Sequence, residues 1–189
     1  MILGVITAHN ASLPMGFVKS ILEAKEYTLV TQEGPSIPHN RNSVFERARL
    51  EGDSLLFIDS DMVFTPQDIK RMEKHLETHD VVTGVCVMGF PGWPPAVFDE
   101  KRRPIENIKA EDGLFEIGSC GAAFLGISKP VIQTLIEPFT PLAEEKYGQY
   151  YGEDISFCMR AREAGFRIWC DPKLQIGHIK TVIKYYGKT

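Results

Sequence analysis

The chain has 189 residues, 43% hydrophobic and 24% charged, an ordinary balance for one globular domain with a real core, which excludes a disordered chain. Lys and Arg number 21 against 25 Asp and Glu, a net charge of −4. No nucleic-acid-binding surface is evident from that balance, and an anionic substrate would need another source of positive charge, a metal ion first. The opening MILGVITAHN lacks the basic start and long apolar run of a signal peptide, and no apolar run reaches the length of a membrane span. Cys86, Cys120, Cys158 and Cys170 form no CxxC pair, and each sits in an apolar stretch. That is the pattern of free, buried thiols in a reducing compartment, so a cytoplasmic protein is expected.

Residues 2–7 form a β-branched run ending before His9 and Asn10, the pattern of a buried strand. Residues 14–25 carry Phe17, Val18, Ile21 and Leu22 at helical spacing, residues 27–31 read as a second strand, and Gly34-Pro35-Ser36 reads as a loop. Pro38 suits the first turn of a helix running to about Leu50. Residues 54–58 are apolar except at the start, as a central parallel strand requires, and stop at Asp59-Ser60-Asp61. Thr65 is placed to cap a helix opened by Pro66, with Asp68 at the third helical position. Residues 81–87 are a fourth strand. Three β-α units followed by a strand predict an α/β fold, with a Rossmann-like, mostly parallel sheet and helices on both faces.

The second half reads differently. Residues 89–95, GFPGWPP, form an irregular loop, residues 97–117 mix turn signals with short runs, and the charged residues 99–103 predict an exposed turn. Residues 122–127 are strand-like, with Ser128 placed to cap the helix that follows. Residues 152–165 predict a helix with Ile155, Cys158 and Met159 on one face and Gly165 as its C-terminal glycine. Residues 167–170 and 174–177 read as two short closing strands, and the last dozen residues are basic and aromatic.

Five features carry chemistry. Residues 55–62, LLFIDSDM, set two carboxylates two apart at the carboxyl end of a buried strand, where open α/β sheets bind ligands. Extended backbone would aim both the same way, and paired carboxylates repel unless a cation lies between them; Mg²⁺ or Mn²⁺ suits such oxygen ligands. Gly152-Glu153-Asp154 opens a helix with two acids in its first turn, where the macrodipole keeps a base ionised. Pro38-His39-Asn40-Arg41-Asn42 places a polar cluster at a helix start, and Arg41 could fork onto a phosphate. His178 and the loop residue Trp93 complete the set. Each also has an ordinary structural reading: a capping Asp, acids at a helix start, a surface helix, a structural histidine, an aromatic ring plugging a core edge.

In order along the chain, Asp59-Ser60-Asp61, then residues 118–126 (GSCGAAFLG), then Gly152-Glu153-Asp154 with Arg160 and Gly165, then His178, resemble the GT-A fold glycosyltransferases, nearest the family 2 type in a compact form. Residues 37–42 also resemble the segment before the DxD motif in small bacterial and viral members. The likeness runs from about Ile2 to His178, and implies a single GT-A domain over residues 1–189, with a nucleotide-binding half at 1–88 and an acceptor and catalytic half at 89–180.

The resemblance further implies a divalent metal, Mn²⁺ or Mg²⁺, on Asp61 and His178 with Asp59 at the ribose or a metal water. The donor would be a nucleotide-diphosphate sugar, a UDP-sugar first, with Thr7, His9, Arg41, Asn42, Asp59, Ser60 and Asp61 around it. Glu153 and Asp154 would form the catalytic acid pair, Asp154 being the base of an inverting reaction. The sugar and its acceptor, a carbohydrate, lipid-linked or other hydroxyl, would meet Trp93, Gly118, Ser119, Cys120 and Gly121. Little follows His178, so a C-terminal lid is expected to be minimal, and no Gln/Arg-rich donor motif of processive synthases is present. Two rival readings stay open. A sugar-phosphate nucleotidyltransferase would want a Gly-rich basic loop after the first strand, where this chain has Thr-Ala-His-Asn-Ala-Ser; the other rival is a non-catalytic nucleotide-sugar binding module. Neither the sugar, the base, the acceptor nor any homo-oligomer is decided by the sequence.

Overall fold

The computed structural model describes residues 1–8, 12–88, 94–144 and 148–180. Its first half runs β1 (Ile2–Ala8), α1 (Met15–Glu23), β2 (Thr28–Gly34), α2 (Ile37–Glu51), β3 (Leu55–Asp59), β4 (Met62–Val63), α3 (Pro66–Leu76) and β5 (Val81–Val85). The β-α alternation read from the sequence is therefore present, with β2 extended to Gly34 and a two-residue strand added after the DxD turn. Thr65 and Asp68 form a complete capping box: the Thr65 side chain accepts from the Asp68 N–H, and the Asp68 carboxylate accepts from the Thr65 N–H at 2.8 Å.

The second half runs β6 (Val97–Phe98), β7 (Phe115–Ile117), β8 (Ser119–Cys120), β9 (Phe124–Ile127), α4 (Lys129–Thr134), β10 (Ala143–Glu144), β11 (Gln149–Tyr150), α5 (Glu153–Glu163), β12 (Ile168–Gln175) and β13 (Gly177–His178). Seven strands make the central sheet in the order β2-β1-β3-β9-β5-β12-β7. β2, β1 and β3 pair in parallel, as do β5 and β12, whereas β9 lies antiparallel between β3 and β5, and β7 closes one edge antiparallel. Strands from both halves of the chain thus interleave in one mainly parallel sheet.

Period-two alternation sends side chains of each strand into two cores. Ile2, Ile6, Leu55, Phe57, Leu125 and Ile127 meet α2, α4 and α5 through Val44, Phe45, Val131, Phe157 and Cys158 on one face. Leu3, Val5, Leu56, Ile58 and Phe124 meet α1 and α3 through Phe17, Ile69 and Met72 on the other. Helices therefore cover both faces, and every strand between β1 and β12 is buried on each side. All four cysteines are free and buried.

Three local expectations change, and two hold. The strands read at 167–170 and 174–177 are one strand, β12, whose register shifts between Asp171 and Gln175, so that Pro172 sits in an irregularity where its missing N–H costs no ladder bond. On α5 the buried residues are Ser156, Phe157, Cys158 and Ala161, while Ile155 and Met159 line a cavity instead of the core. Ser128 occupies the N-cap position of α4 without a side-chain cap bond, and its Oγ is buried without a partner. The turn at 99–103 is tied by Asp99, which accepts from the backbone N–H groups of Lys101 and Arg103, and its residues 100–103 are exposed as expected. Gly165, at φ +90°, ends α5 in a Schellman motif: its N–H reaches Arg162 O and that of Phe166 reaches Ala161 O, both at 3.0 Å.

Asp171 pins α3 onto the sheet. Its side chain, 1% exposed, accepts from Arg71, from His75 Nε2 at 2.6 Å and from the Lys173 N–H at 3.0 Å. Burial pushes this carboxyl up, but Arg71, the Lys173 N–H and His75 together hold it below its ordinary value. Asp171→Ala is expected to cost about 1.5–3 kcal/mol in denaturant unfolding at neutral pH. Because the folded pKa is the lower one, this contribution is complete above the ordinary carboxylate range. The gap between wild type and variant should close as the pH falls below about 4.

Candidate functional site

The carboxyl ends of β1 and β3 open onto a cavity of ≈ 460 Å³. β1 connects outward to β2 and β3 connects the other way toward β5, so the cavity lies where the order of the sheet reverses, the usual ligand position in open α/β folds. Ile6, Ser12, Pro14, Ile37, Arg41, Asp59, Ser60, Asp61 and Glu153 line it. The chain thus brings the DxD turn, the start of α2 and the start of α5 to one place.

The two DxD carboxylates meet different side-chain cations. β3 ends at Asp59, and Ser60-Asp61 lie in a turn, so the alternation that would aim both acids together stops between them. Asp59 Oδ1 accepts from Arg41 Nη2 at 2.8 Å, whereas Asp61 Oδ2 lies 2.9 Å from His178 Nε2 and 3.3 Å from Lys180 Nζ. Enclosure by protein raises the Asp59 pKa against the pull of Arg41, and the charges of Asp61 and Glu153 add to the rise.

Arg41 was expected at the diphosphate, but it is 3% exposed and engaged inside the protein. Nη2 holds Asp59, Nε holds Glu153 Oε1 at 3.4 Å, and Nη1 donates to Ala122 O at 3.3 Å. Its guanidinium also lies over the Phe57 ring at 5.3 Å. Arg41 therefore sets the positions of two acids around the cavity.

His178 reaches Asp61 through a two-residue antiparallel ladder, β13 on β4, which pairs His178 with Met62 and continues as an Ile179 N–H bond to Asp61 O at 2.9 Å. His178 Nδ1 lies 2.7 Å from the Val87 carbonyl oxygen. A carbonyl only accepts, so Nδ1 carries a proton, and a neutral ring then turns its Nε2 lone pair toward Asp61. Two acceptors that close need a proton or a metal cation between them, and a histidine oriented by a carbonyl bond on its far nitrogen is the usual form of a metal ligand. This donor set, one carboxylate oxygen and one imidazole nitrogen, fits Mn²⁺ or Mg²⁺ if the substrate supplies further oxygens. Among the described residues, no group of three or more His, Cys, Asp or Glu side chains is arranged to hold a metal by itself.

Asp154 begins α5 half-buried, its Oδ1 accepting from the Ile155 N–H at 2.8 Å and its Oδ2 3.7 Å from where a Cβ on Gly121 would stand. Burial raises its pKa, Glu153 adds to the rise, and the Ile155 N–H and Arg41 oppose it without prevailing.

The remaining site expectations scatter. Thr7 lines a separate, largely apolar cavity of ≈ 280 Å³ with Val5, Leu13, Phe17, Ile21 and Leu29, because alternation turns it to the α1 face while Ile6 turns to the DxD cavity. Asn42 holds the chain after α4, its Oδ1 accepting from the Phe139 N–H at 2.9 Å and its Nδ2 donating to Thr140 Oγ1 at 3.2 Å. Gly118 and Ser119 line a third cavity of ≈ 360 Å³ beside Ile155 and Met159. At Gly118 a side chain would run into the Asp99 carbonyl and stand 2.6 Å from Glu100 Cα, so the turn can approach only a glycine. Cys120 is 0% exposed and belongs to the core, with burial and the neighbouring Cys158 holding its thiol protonated. His9 and Trp93 lie outside the described residues.

Sequence reasoning missed Lys180, and it named Asn40 only within the polar cluster at residues 38–42. Asn40 is buried and donates to Gly34 O at 3.1 Å, joining the start of α2 to the end of β2. Lys180 had a legible signal, since residues two apart in extended chain reach the same side and it follows His178 by two.

No protein-family model matches the chain, and no curated protein matches it in sequence. Solved structures do match it in fold. A197 from STIV superposes with a TM-score of 0.67 at 19% identity, covering 95% of this chain and 86% of that one. GalNAc-T7 with UDP, GalNAc and Mn²⁺ gives a TM-score of 0.62 at 9% identity over 100% of this chain and 44% of that one. S. aureus TarS in complex with UDP-GlcNAc gives 0.52 at 18% identity over 90% and 56%. The chain has the GT-A fold of nucleotide-diphospho-sugar transferases, and it spans about half the length of the GalNAc-T7 and TarS chains.

Arg41→Met would leave Asp59 and Glu153 without their shared cation. It is expected to destabilise the fold by about 2–3 kcal/mol, less than a fully buried pair would lose because both acids keep some water. Asp59→Asn in the Arg41→Met background should recover part of that loss in thermal unfolding, a coupling that independent sites would not show.

Proposed function

We propose that this chain is a metal-dependent glycosyltransferase that moves a sugar from a nucleotide-diphosphate sugar, a UDP-sugar first, to an acceptor hydroxyl with inversion at the anomeric carbon. The observation that carries this reading is the 2.9 Å Asp61–His178 contact, with Asp61 lining a cavity on the carboxyl ends of parallel strands, in a chain with the GT-A fold. UDP and UDP-GlcNAc in two of the matched structures favour uridine. The four free cysteines support a reducing, cytoplasmic location; no helix among the described residues is long and apolar enough to cross a membrane.

Asp61 and His178 would hold the metal, with Asp59 beside them. Such an ion, when bound, supplies positive charge against the departing diphosphate. The diphosphate would lie in the cavity at Asp59, Ser60 and Asp61, and the base in the apolar cavity at Thr7, Leu13 and Phe17, the two meeting at residues 12–14. The acceptor would approach from the side of Gly121, Ser119 and Gly118.

Asp154 acts as general base. Oδ1 is occupied by the Ile155 N–H, which leaves Oδ2 to take the proton. The acceptor oxygen bonds to the anomeric carbon as the bond from that carbon to the diphosphate breaks, and the diphosphate leaves with the electron pair. A raised pKa makes Asp154 a stronger base, provided that it is ionised. Arg41 contributes by holding Asp59 and Glu153 in place.

The test is UDP release from a panel of UDP- and GDP-sugars with an acceptor mixture, with and without Mn²⁺, followed by proton NMR of the product. Release that is indifferent to metal, or retention of the anomeric configuration, would overturn the corresponding part of the proposal. Nucleotide-sugar binding without any transfer would instead favour a non-catalytic module. Asp154→Asn is expected to lower turnover by about 10²–10⁴ while donor affinity holds, the signature of an interaction made in the transition state. Activity needs ionised Asp154, so the acid limb of the wild-type rate profile should fall at a pH above the ordinary Asp range and be absent from the residual activity of the variant.

A further inference from the structure

We propose that Lys180 is a diphosphate-binding residue stored on Asp61: its ammonium pairs with Asp61 before the metal arrives and moves to the donor diphosphate once the metal takes that oxygen. The inference rests on the donor-site reading above and names a residue that the reading does not use.

Charge accounting around the cavity points to it. Arg41 is spent inside the protein on Asp59, Glu153 and the Ala122 carbonyl. His178 uses its Nδ1–H to donate to Val87 O. Lys180, by contrast, keeps a third of its side chain exposed and pairs with Asp61 at 3.3 Å. That pair uses Oδ2, the oxygen that also faces His178 Nε2 at 2.9 Å. A cation seated between Asp61 and His178 and the ammonium of Lys180 therefore compete for one oxygen.

Geometry limits where the displaced ammonium can go. The Ile179 N–H bond to Asp61 O at 2.9 Å ties the backbone one residue away, and the four-carbon stem of Lys180 reaches from there. A compact ammonium with three rotatable donors suits that exchange, since it needs no fixed planar partner. With Asp61 and His178 holding the metal, a diphosphate beside Asp61 would offer the Lys180 ammonium a charge-assisted hydrogen bond in exchange for the Asp61 oxygen. Lys180 thus lowers affinity for the metal alone and raises affinity for metal and diphosphate together.

Those two effects have opposite signs, which separates a stored ligand from a merely structural lysine. The experiment titrates wild type, Lys180→Ala and Lys180→Arg with Mn²⁺ alone, read by the electron paramagnetic resonance of free Mn²⁺. It then titrates UDP, GDP and uridine at saturating Mn²⁺ by calorimetry. Lys180→Ala is expected to bind Mn²⁺ about 2–5-fold more tightly, the scale of a partly exposed ion pair. It should bind the preferred diphosphate about 10-fold more weakly, with uridine unchanged and Lys180→Arg keeping most diphosphate affinity. If Lys180→Ala weakens both together, or changes neither, the proposal is wrong. If wild type binds Mn²⁺ but no nucleoside diphosphate, the donor-site reading itself fails, and Lys180 loses its assigned ligand with it.

Discussion

One buried guanidinium carries the geometry of the site. Arg41 sits on α2, yet its three nitrogens reach the end of β3, the start of α5 and the chain entering β9. Those segments are separated by 18 residues at Asp59, 81 at Ala122 and 112 at Glu153. A charge so enclosed is tolerable only when acids and a carbonyl satisfy it, and the acids are in turn held where the cavity needs them. Phe57 and Phe139, both fully buried, pack against the guanidinium and deny it water. The cavity lined by Asp59 and Glu153 is as rigid as this knot.

The second organising contact is weaker and more exposed, which suits a site that exchanges ligands. Two residues of β13 on two residues of β4 carry His178 to Asp61, and the Val87 carbonyl chooses the tautomer of the ring. Lys180 follows two residues after His178, just beyond that ladder. A buried, fully paired Arg41 beside a partly exposed, singly paired Lys180 divides the positive charge of the site into a fixed part and a movable part. That division also answers the charge balance: a chain of net charge −4 handles an anionic ligand through local cations and a metal rather than through a basic surface.

The outer elements follow from how the sheet is closed. β9 runs antiparallel between β3 and β5, so its residues stack on both cores and bring Gly121 and Ala122, just before it, to the start of α5. β12 stays paired with β5 to the last residue of both strands across an irregularity that contains Pro172, and Asp171 at its start holds α3. Pro172 lies inside one strand where the sequence reads two, because the register shift there removes the demand for its N–H. The α5 face was misread for a related reason: Ile155 and Met159 are apolar at helical spacing, but the neighbour they would pack on is a cavity rather than a layer.

What the amino-acid order determined alone is local and periodic. The β-α alternation through β5, the capping box at Thr65, the buried cysteines, the αL glycine after α5 and the carboxylates at the end of an apolar strand all follow from patterns within a dozen residues, where side-chain period and backbone preference decide. The tertiary structure decided everything that joins distant segments. It placed β9 inside the sheet, engaged Arg41 with Asp59, Glu153 and the Ala122 carbonyl, sent Thr7 and Ile6 into different cavities, committed Asn42 to the loop after α4 and made Cys120 core. It also brought His178 and Lys180 to Asp61 across 117 and 119 residues. No spacing along the chain encodes such meetings, because they depend on which strands pair and in what register, and pairing is settled only when the two cores close together.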